Sequence, residues 1–543
     1  MLMSETSLQI VQRLVAEGRS TDEIRQALNQ SSVGSGSPVS NQTASVAESS
    51  ESSQLRRSAD NDSIQHASSG IGATRPASDG DIGGAPTLAG TAVIPPASVL
   101  GQLESSYMSK LGWPLVGLIC LIPAFALLFD ASWSVRFGSL SRTLLTTGDV
   151  TGVIGLGMYA MDLALATRLR WFEDIFGGLN RVLMSHQILG GLALVMLLIH
   201  PMLTAISYYP YGIHTVANFF IPQTAYIGTA FGIVALVVMI GLVGVSYYAR
   251  LGYKVWLASH KYLGVAYVLV ALHVLLTPNH ITANLFVRWY LYGLLVVGVA
   301  AYVYRTLLPN IFVRRYIYTI TSAVAKGIGV VEVTLSPVAD QVHFKAGQFI
   351  FVSFGGDGFS EEWHPFSISS AESSGLLMLD VKSLGGYTEA LTRMLPHMVG
   401  MTARVEGAYG RFSYRNFDNQ NQVWIAGGIG ITPFLSMAQS LGQGSYNIDL
   451  YYSVKTASEL VDLDVLAVHQ SAAPGQVFRT FPFITETYKT YLSANIIQKN
   501  SADITKRDFL LCGPPGMMGA IRQQLIELGV SNNQIHSEEF ALE

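Results

Sequence analysis

Two apolar runs in the middle of the sequence each carry a pair of histidines. RVLMSHQILGGLALVMLLIHPML holds His186 and His200, and VWLASHKYLGVAYVLVALHVLL holds His260 and His273. At about 1.5 Å of rise per residue, the first pair lies roughly 21 Å apart along a helix and the second roughly 20 Å. That is most of the way across a hydrocarbon core about 30 Å thick. A single histidine on an apolar helix is often only a packed, hydrogen-bonded residue. Four at matched spacing on two spans are harder to read that way, because polar side chains are costly in a bilayer and tend to mark function. Imidazole is a common axial ligand of haem iron, and one histidine from each helix would close both faces of a haem. The registers differ, however. Fourteen residues at about 100° each end about 40° from the starting face, whereas thirteen end about 140° away. The second helix is expected to be distorted, or the two haems rotated relative to each other.

This quartet, with its spacings of 14 and 13, resembles the ferric reductase and NADPH oxidase superfamily of transmembrane flavocytochromes b. The resemblance implies two b-type haems, one held by His186 and His260 and the other by His200 and His273.

Length and composition agree with a membrane protein of several domains. At 543 residues the chain suggests about three domains. Half its residues are hydrophobic and 13% are charged, well below the usual quarter. A net charge of -4 gives no electrostatic case for nucleic acid. The two cysteines, Cys120 and Cys512, can build neither a disulfide framework nor a cysteine metal cluster.

Residues 1–30 read as two short helices, the second opened by the capping-box pair Ser20 and Glu23. They form either a loosely held appendage or a docking element for another domain or a protein partner. No secretory signal is visible at this end. Residues 31–110, rich in serine, glycine, alanine and proline, read as a disordered linker. Six apolar runs follow within 111–308, near 111–129, 150–167, 182–203, 225–247, 255–276 and 289–304. Arg168, Arg170, Arg181, Arg250, Lys254, Arg305, Arg314 and Arg315 fall in alternate connections, so these and both termini are expected to face the cytoplasm. Arg136, Arg142 and Arg288 depart from that rule. His186 and His260 are then near the cytoplasmic side, and His200 and His273 near the outside. Asp162, the only charge well inside a span, is expected to pair with an arginine of the next loop or to reach the interface.

From residue 309 the pattern becomes that of a soluble protein. Residues 309–418 alternate as short strands of a small antiparallel barrel, and 419–543 alternate strands with helices, as in a parallel sheet covered on both faces. His364-Pro365-Phe366-Ser367 is followed by VKSLGGYTEAL, where Lys382, Gly385, Gly386 and Thr388 precede a helix whose amino terminus suits a pyrophosphate. The order resembles the flavin domain of the ferredoxin-NADP reductase family in its ferric reductase branch. That implies FAD, with Phe366 flanking the isoalloxazine, Ser367 facing its reactive nitrogen, and Gly386 and Thr388 at the pyrophosphate. Ala408 departs from the family, which usually has proline there.

Gly427-Gly428-Ile429-Gly430-Ile431-Thr432-Pro433 follows a strand and opens a helix, the context in which a glycine-rich turn holds nucleotide phosphate. The competing reading is a tight turn with proline at the first helical position. Cys512-Gly513-Pro514 follows a second strand and, by the resemblance, is the other half of a nicotinamide site, with Phe540 as the terminal aromatic against the flavin. Ser453 and Lys455, after the second strand of this domain, offer a hydroxyl and a positive charge where a 2′-phosphate would lie, which favours NADPH over NADH. The implied function is a transmembrane oxidoreductase acting on an external acceptor, O2 or a ferric chelate. The alternative is a haem-binding membrane cytochrome that acts as a sensor or electron-transfer subunit.

Overall fold

The computed structural model describes residues 110–223, 226–248, 252–277, 280–355, 361–442, 445–469 and 477–538. The expected amino-terminal helices and nearly all of the expected linker lie outside them.

The membrane part is built from α1 (Gly112–Phe129), α2 (Leu140–Leu165), the short α3 (Arg170–Phe176), α4 (Leu179–Ser207), α5 (Ile227–Tyr248), α6 (Tyr253–Lys261), α7 (Leu263–Leu276) and α8 (Leu285–Tyr302). Five of the spans are each long and apolar enough to cross a bilayer. A sixth is reached only by counting α2 and α3, bent by 115°, as one. The expected six-helix bundle is thus supported as a helical membrane region with five or six spans. α2 packs along α4 and α5 along α7, giving two helix pairs.

The expected distortion lies at Tyr262, between α6 and α7. Its N–H reaches back to Ser259 O at 3.1 Å, and Val265 N–H reaches Tyr262 O at 2.9 Å. These three-residue steps turn the chain by about 120° per residue instead of about 100°. That overwinding moves His273 towards the face of His260.

α2 begins ten residues before the expected run, so Asp149 lies inside it together with Asp162, and both are buried. Asp162 is therefore not the lone charge of that span. In place of the expected loop arginine or interface, its carboxylate faces His186.

The first soluble part is a six-stranded antiparallel sheet in the order β4-β3-β6-β1-β2-β5. Its strands are β1 (Tyr316–Gly327), β2 (Val330–Pro337), β3 (Phe349–Phe354), β4 (His364–Ser367), β5 (Leu377–Lys382) and β6 (Thr402–Tyr409). Edges β4 and β5 approach each other just past β4, where Ser369 N–H donates to Met378 O at 2.8 Å. Among the described residues this seam is not a strand ladder, so the expected barrel is a curled sheet. Helix α9 (Gly386–Met394) follows β5.

The second soluble part is a parallel sheet in the order β11-β10-β7-β8-β9. It comprises β7 (Asn421–Gly427), α10 (Thr432–Gln439), β8 (Asn447–Val454), β9 (Val477–Ile484), β10 (Asp508–Cys512), α11 (Pro515–Glu527) and β11 (Ile535–Glu538). Alternate residues feed two cores. Trp424, Leu450 and Leu510 face one, and Val423, Ile425, Tyr451 and Phe509 the other, as a sheet covered on both faces requires.

The membrane helices and the flavin sheet share one core. Phe349, Phe351 and Tyr409 pack with Phe172, Phe176, Leu179 and Val182. Arg168 lies over the Phe351 ring at 4.0 Å, and Arg305, just past α8, pairs with buried Glu406 at 2.7 Å. Hence the α2–α4 connection lies on the side that carries the soluble domains, with His186 at that end of α4 and His200 at the other.

Candidate redox sites

The four histidines are each oriented through Nδ1, and two of them face each other. His186 and His260 approach with ring centroids 5.9 Å apart. Two imidazoles on one metal, at about 2.0–2.1 Å per bond, bring their centroids to roughly 6 Å, so this pair fits a bis-histidine haem. Trp256 stacks on His260 at 5.2 Å.

His200 Nδ1 lies 2.7 Å from Gly148 O and His273 Nδ1 lies 2.9 Å from Gly228 O. His186 Nδ1 lies 3.1 Å from Asp162 O. A carbonyl only accepts, so Nδ1 carries the proton in these three and Nε2 keeps its lone pair for a metal. His260 Nδ1 meets the Ser246 hydroxyl at 3.4 Å.

Glycines make this possible. A Cβ on Gly152 would lie 2.7 Å from His200 Nδ1, and one on Gly232 would lie 2.8 Å from His273 Nδ1. On α2 and on α5 alike, the glycine that accepts the bond stands four residues before the glycine that makes room. The two helix pairs thus hold His200 and His273 in the same way.

At the flavin motif, β4 brings His364 onto Tyr387 of α9, with rings stacked at 3.7 Å. Gly385 and Gly386 stand open, since a Cβ on either would meet nothing within 4 Å. That leaves the amino terminus of α9 approachable by a pyrophosphate. The Thr388 hydroxyl accepts from Leu384 N–H and Gly385 N–H at 3.0 and 3.1 Å, so it shapes the loop. Phe366 packs on Phe354, Pro365 pairs with Phe351 across the ladder, and Ser367 is buried opposite Phe349. Lys382, expected with the pyrophosphate loop, instead sends its ammonium across the domain interface. It lies 3.2 Å from Glu459 Oε2 and 3.6 Å from where a Gly428 Cβ would stand.

In the nucleotide domain the two glycine loops interlock. Gly428 has φ +54°, and a Cβ on Gly430 would strike Cys512 O at 2.3 Å. One on Gly513 would lie 2.9 Å from Gly427 Cα, and one on Gly427 would lie 2.8 Å from Pro514. Gly430 is therefore needed for loop packing as well as for any phosphate approach. Thr432 and Pro433 are buried, and the Thr432 hydroxyl donates to Ile429 O at 3.1 Å. Ser453 is buried at the end of β8, while Lys455 is 74% exposed and faces Glu486 at 3.9 Å.

Three family models match the chain in succession. Ferric reductase like transmembrane component covers residues 151–271, FAD-binding domain 316–427 and oxidoreductase NAD-binding domain 424–523. The chain belongs to the ferric reductase and NADPH oxidase superfamily.

Rat NADPH oxidase 1 is 34% identical over 97 residues, covering 18% of this chain and 17% of that protein. The toluate 1,2-dioxygenase electron transfer component of Pseudomonas putida is 26% identical over 210 residues, covering 37% of this chain and 60% of that protein. The chain therefore spans less than two thirds of these relatives. Among solved structures, a ferredoxin NADP+ reductase from Neisseria gonorrhoeae with bound FAD and NADP is 24% identical. It covers 41% of this chain and 98% of that one, with a TM-score of 0.34.

In this superfamily member the two soluble domains and the membrane helices meet around Gly410, a junction the motifs did not mark. Gly410 N–H donates to Glu173 Oε2 of α3 at 2.8 Å. Glu538 Oε1 lies 3.5 Å from where a Gly410 Cβ would stand, and Asn180 Nδ2 donates to the same oxygen at 3.5 Å. Glu538 also pairs in register with Cys512. Burial and the facing Glu173 push the Glu538 carboxyl up to about 8, and burial, then Glu538, pushes the Cys512 thiol up. The expected terminal aromatic, Phe540, lies outside the described residues.

Proposed function

We propose that this chain is a transmembrane oxidoreductase that passes electrons from cytoplasmic NAD(P)H, through FAD and two b-type haems, to an external acceptor. The acceptor is O2, giving superoxide, or a ferric chelate. The observation that carries the reading is the orientation of the histidines, with Nδ1 held and Nε2 left to bind iron. When bound, the nicotinamide supplies two electrons as hydride, the flavin accepts hydride and releases single electrons, and haem iron carries one electron at a time.

The residues divide this work. His186 and His260 hold the inner haem, and His200 and His273 the outer. Phe366 and Ser367 border the isoalloxazine, with Pro365 and His364 fixing the strand beside the Tyr387 ring. The backbone at Gly385, Gly386 and Thr388 receives the pyrophosphate. Gly427, Gly428, Gly430, Thr432 and Pro433 shape the nucleotide loop against Cys512, Gly513 and Pro514. Cys512 borders the nicotinamide, and Phe540, outside the described residues, is by the resemblance the aromatic against the flavin. Lys455 favours NADPH, with NADH as the alternative, and buried Ser453 ends the strand beneath it. With two histidines to hold each iron, no position would be left open for a further ligand, so the acceptor would need no dedicated protein ligand.

Purified protein in detergent is expected to hold two haems per chain with six-coordinate, low-spin spectra. His200→Ala is expected to lose one haem and external reduction while NADPH still reduces FAD. One haem in intact wild-type protein rejects the reading.

A further inference from the structure

The two histidine pairs differ in what meets Nδ1. For the outer pair these are neutral groups in both cases, Gly148 O at 2.7 Å for His200, and Gly228 O at 2.9 Å with the Thr277 hydroxyl at 3.4 Å for His273. For His260 it is the Ser246 hydroxyl. His186 alone of the four has a carboxylate at ion-pair distance among the contacts described, with Asp162 Oδ1 2.8 Å from Nδ1. The N–H itself donates to the Asp162 carbonyl at 3.1 Å, and Asp162 Oδ1 accepts no hydrogen bond among the contacts described, so the carboxylate acts on the ring through its charge.

The carboxylate is seated deliberately. Asp162 is 7% exposed, within a membrane helix where such a group is costly. Gly190, one turn along α4 from His186, leaves the space it occupies, since a Cβ there would lie 3.3 and 3.4 Å from the two carboxylate oxygens. A carboxylate 2.8 Å from Nδ1 polarises the ring, which raises the donor strength of Nε2, and places negative charge near the iron. Both favour the more positive, oxidised iron and so lower its reduction potential.

We propose that Asp162, with Gly190 making room for it, is a positioning residue that sets the midpoint potential of the haem on His186 and His260 below that of the haem on His200 and His273. This rests on the two-haem reading above. It makes electron flow away from the soluble domains energetically downhill by a charge built into the span. The outer haem, with neutral acceptors, is the higher-potential partner.

The test is spectroelectrochemical titration of purified protein, with haem content and low-spin spectra measured on the same samples. Wild-type protein is expected to show two midpoints. In Asp162→Asn the lower one is expected to rise towards the other, which stays in place, while Asp162→Glu restores the separation at least in part. In a His200→Ala background, which keeps only the inner haem, Asp162→Asn is expected to raise the remaining midpoint. Gly190→Ala, which crowds the carboxylate without removing it, is expected to move the same midpoint and supplies the test if the Asn variant does not fold. Two haems in the Asn variant with both midpoints as in wild type overturn the assignment of Asp162 alone. Fewer than two haems in wild type overturns the two-haem reading, and this inference with it.

Discussion

Arg305 and Glu406 form a buried ion pair at 2.7 Å that ties the end of the last membrane helix to the flavin sheet. The Tyr409 hydroxyl donates to the same carboxylate oxygen at 2.9 Å. Glu406 is 3% exposed, and although burial raises its pKa, Arg305 and Arg168 bring it below its ordinary value. Removing one partner of a buried pair leaves an uncompensated charge, at a cost of about 3–5 kcal/mol. Arg305→Met is therefore expected to lower the thermal midpoint of the detergent-purified protein markedly. Arg305→Met combined with Glu406→Gln is expected to recover much of the loss, because no buried charge is then left alone. Differential scanning calorimetry on the three proteins checks this.

Gly152 and Gly232 are expected to be as necessary as the histidines they face. A Leu side chain at either must displace an imidazole whose Nδ1 stands under 3 Å from the new Cβ. Gly152→Leu or Gly232→Leu is expected to lower haem content from two per chain to one, without touching a ligand. Haem assay against protein concentration reads this directly, and retention of two haems rejects the packing argument.

Much of this was legible in the sequence because it is local. The histidine quartet, the strand-turn-helix context of Gly427 to Pro433, and the distortion near His260 all follow from spacing along one element. The rest depends on contacts far apart in the chain. Asp162 meets His186 across two helices, Glu173 meets Gly410 across 237 residues, and Lys382 meets Glu459 across 77. No periodicity in either partner records such a meeting. Thr388 shows a different limit, since sequence supplies a hydroxyl but not the competing loop N–H groups that occupy it. The glycines at 148, 152, 228 and 232 did carry a signal, a repeated G-x-x-x-G in two spans, that becomes meaningful only once the histidines are seen beside them.

Glu538 gives a pH dependence whose sign is fixed. Its carboxyl is raised from about 4.5 to about 8 in the folded protein, so the folded state binds more protons than the unfolded between those values. Stability from this group is fully present below about 4.5 and is lost as pH rises through about 8. Glu538→Gln is expected to flatten the fall in thermal midpoint between about pH 4.5 and 8. Parallel pH profiles of wild type and variant contradict the assignment.

Lys455 tests the choice of nicotinamide. A hydrogen bond to a charged group contributes about 1.5 kcal/mol or more, about tenfold in affinity. Lys455→Ala is expected to lower kcat/KM for NADPH by about that factor and leave NADH nearly unchanged. Glu486, 3.9 Å from the ammonium, competes for the charge, so Glu486→Gln is expected to act in the opposite direction. Equal losses with both nucleotides reject a 2′-phosphate contact at this lysine.

The central claim, that the soluble and membrane halves form one electron path, is tested most directly by anaerobic addition of NADPH to purified protein loaded with FAD and haem. Absorbance is followed at the flavin band and at the reduced-haem α band. The expected result is bleaching of the flavin followed by reduction of both haems in wild type, and of the inner haem alone in His200→Ala. Flavin that bleaches while the haems of the wild-type protein stay oxidised would contradict the claim.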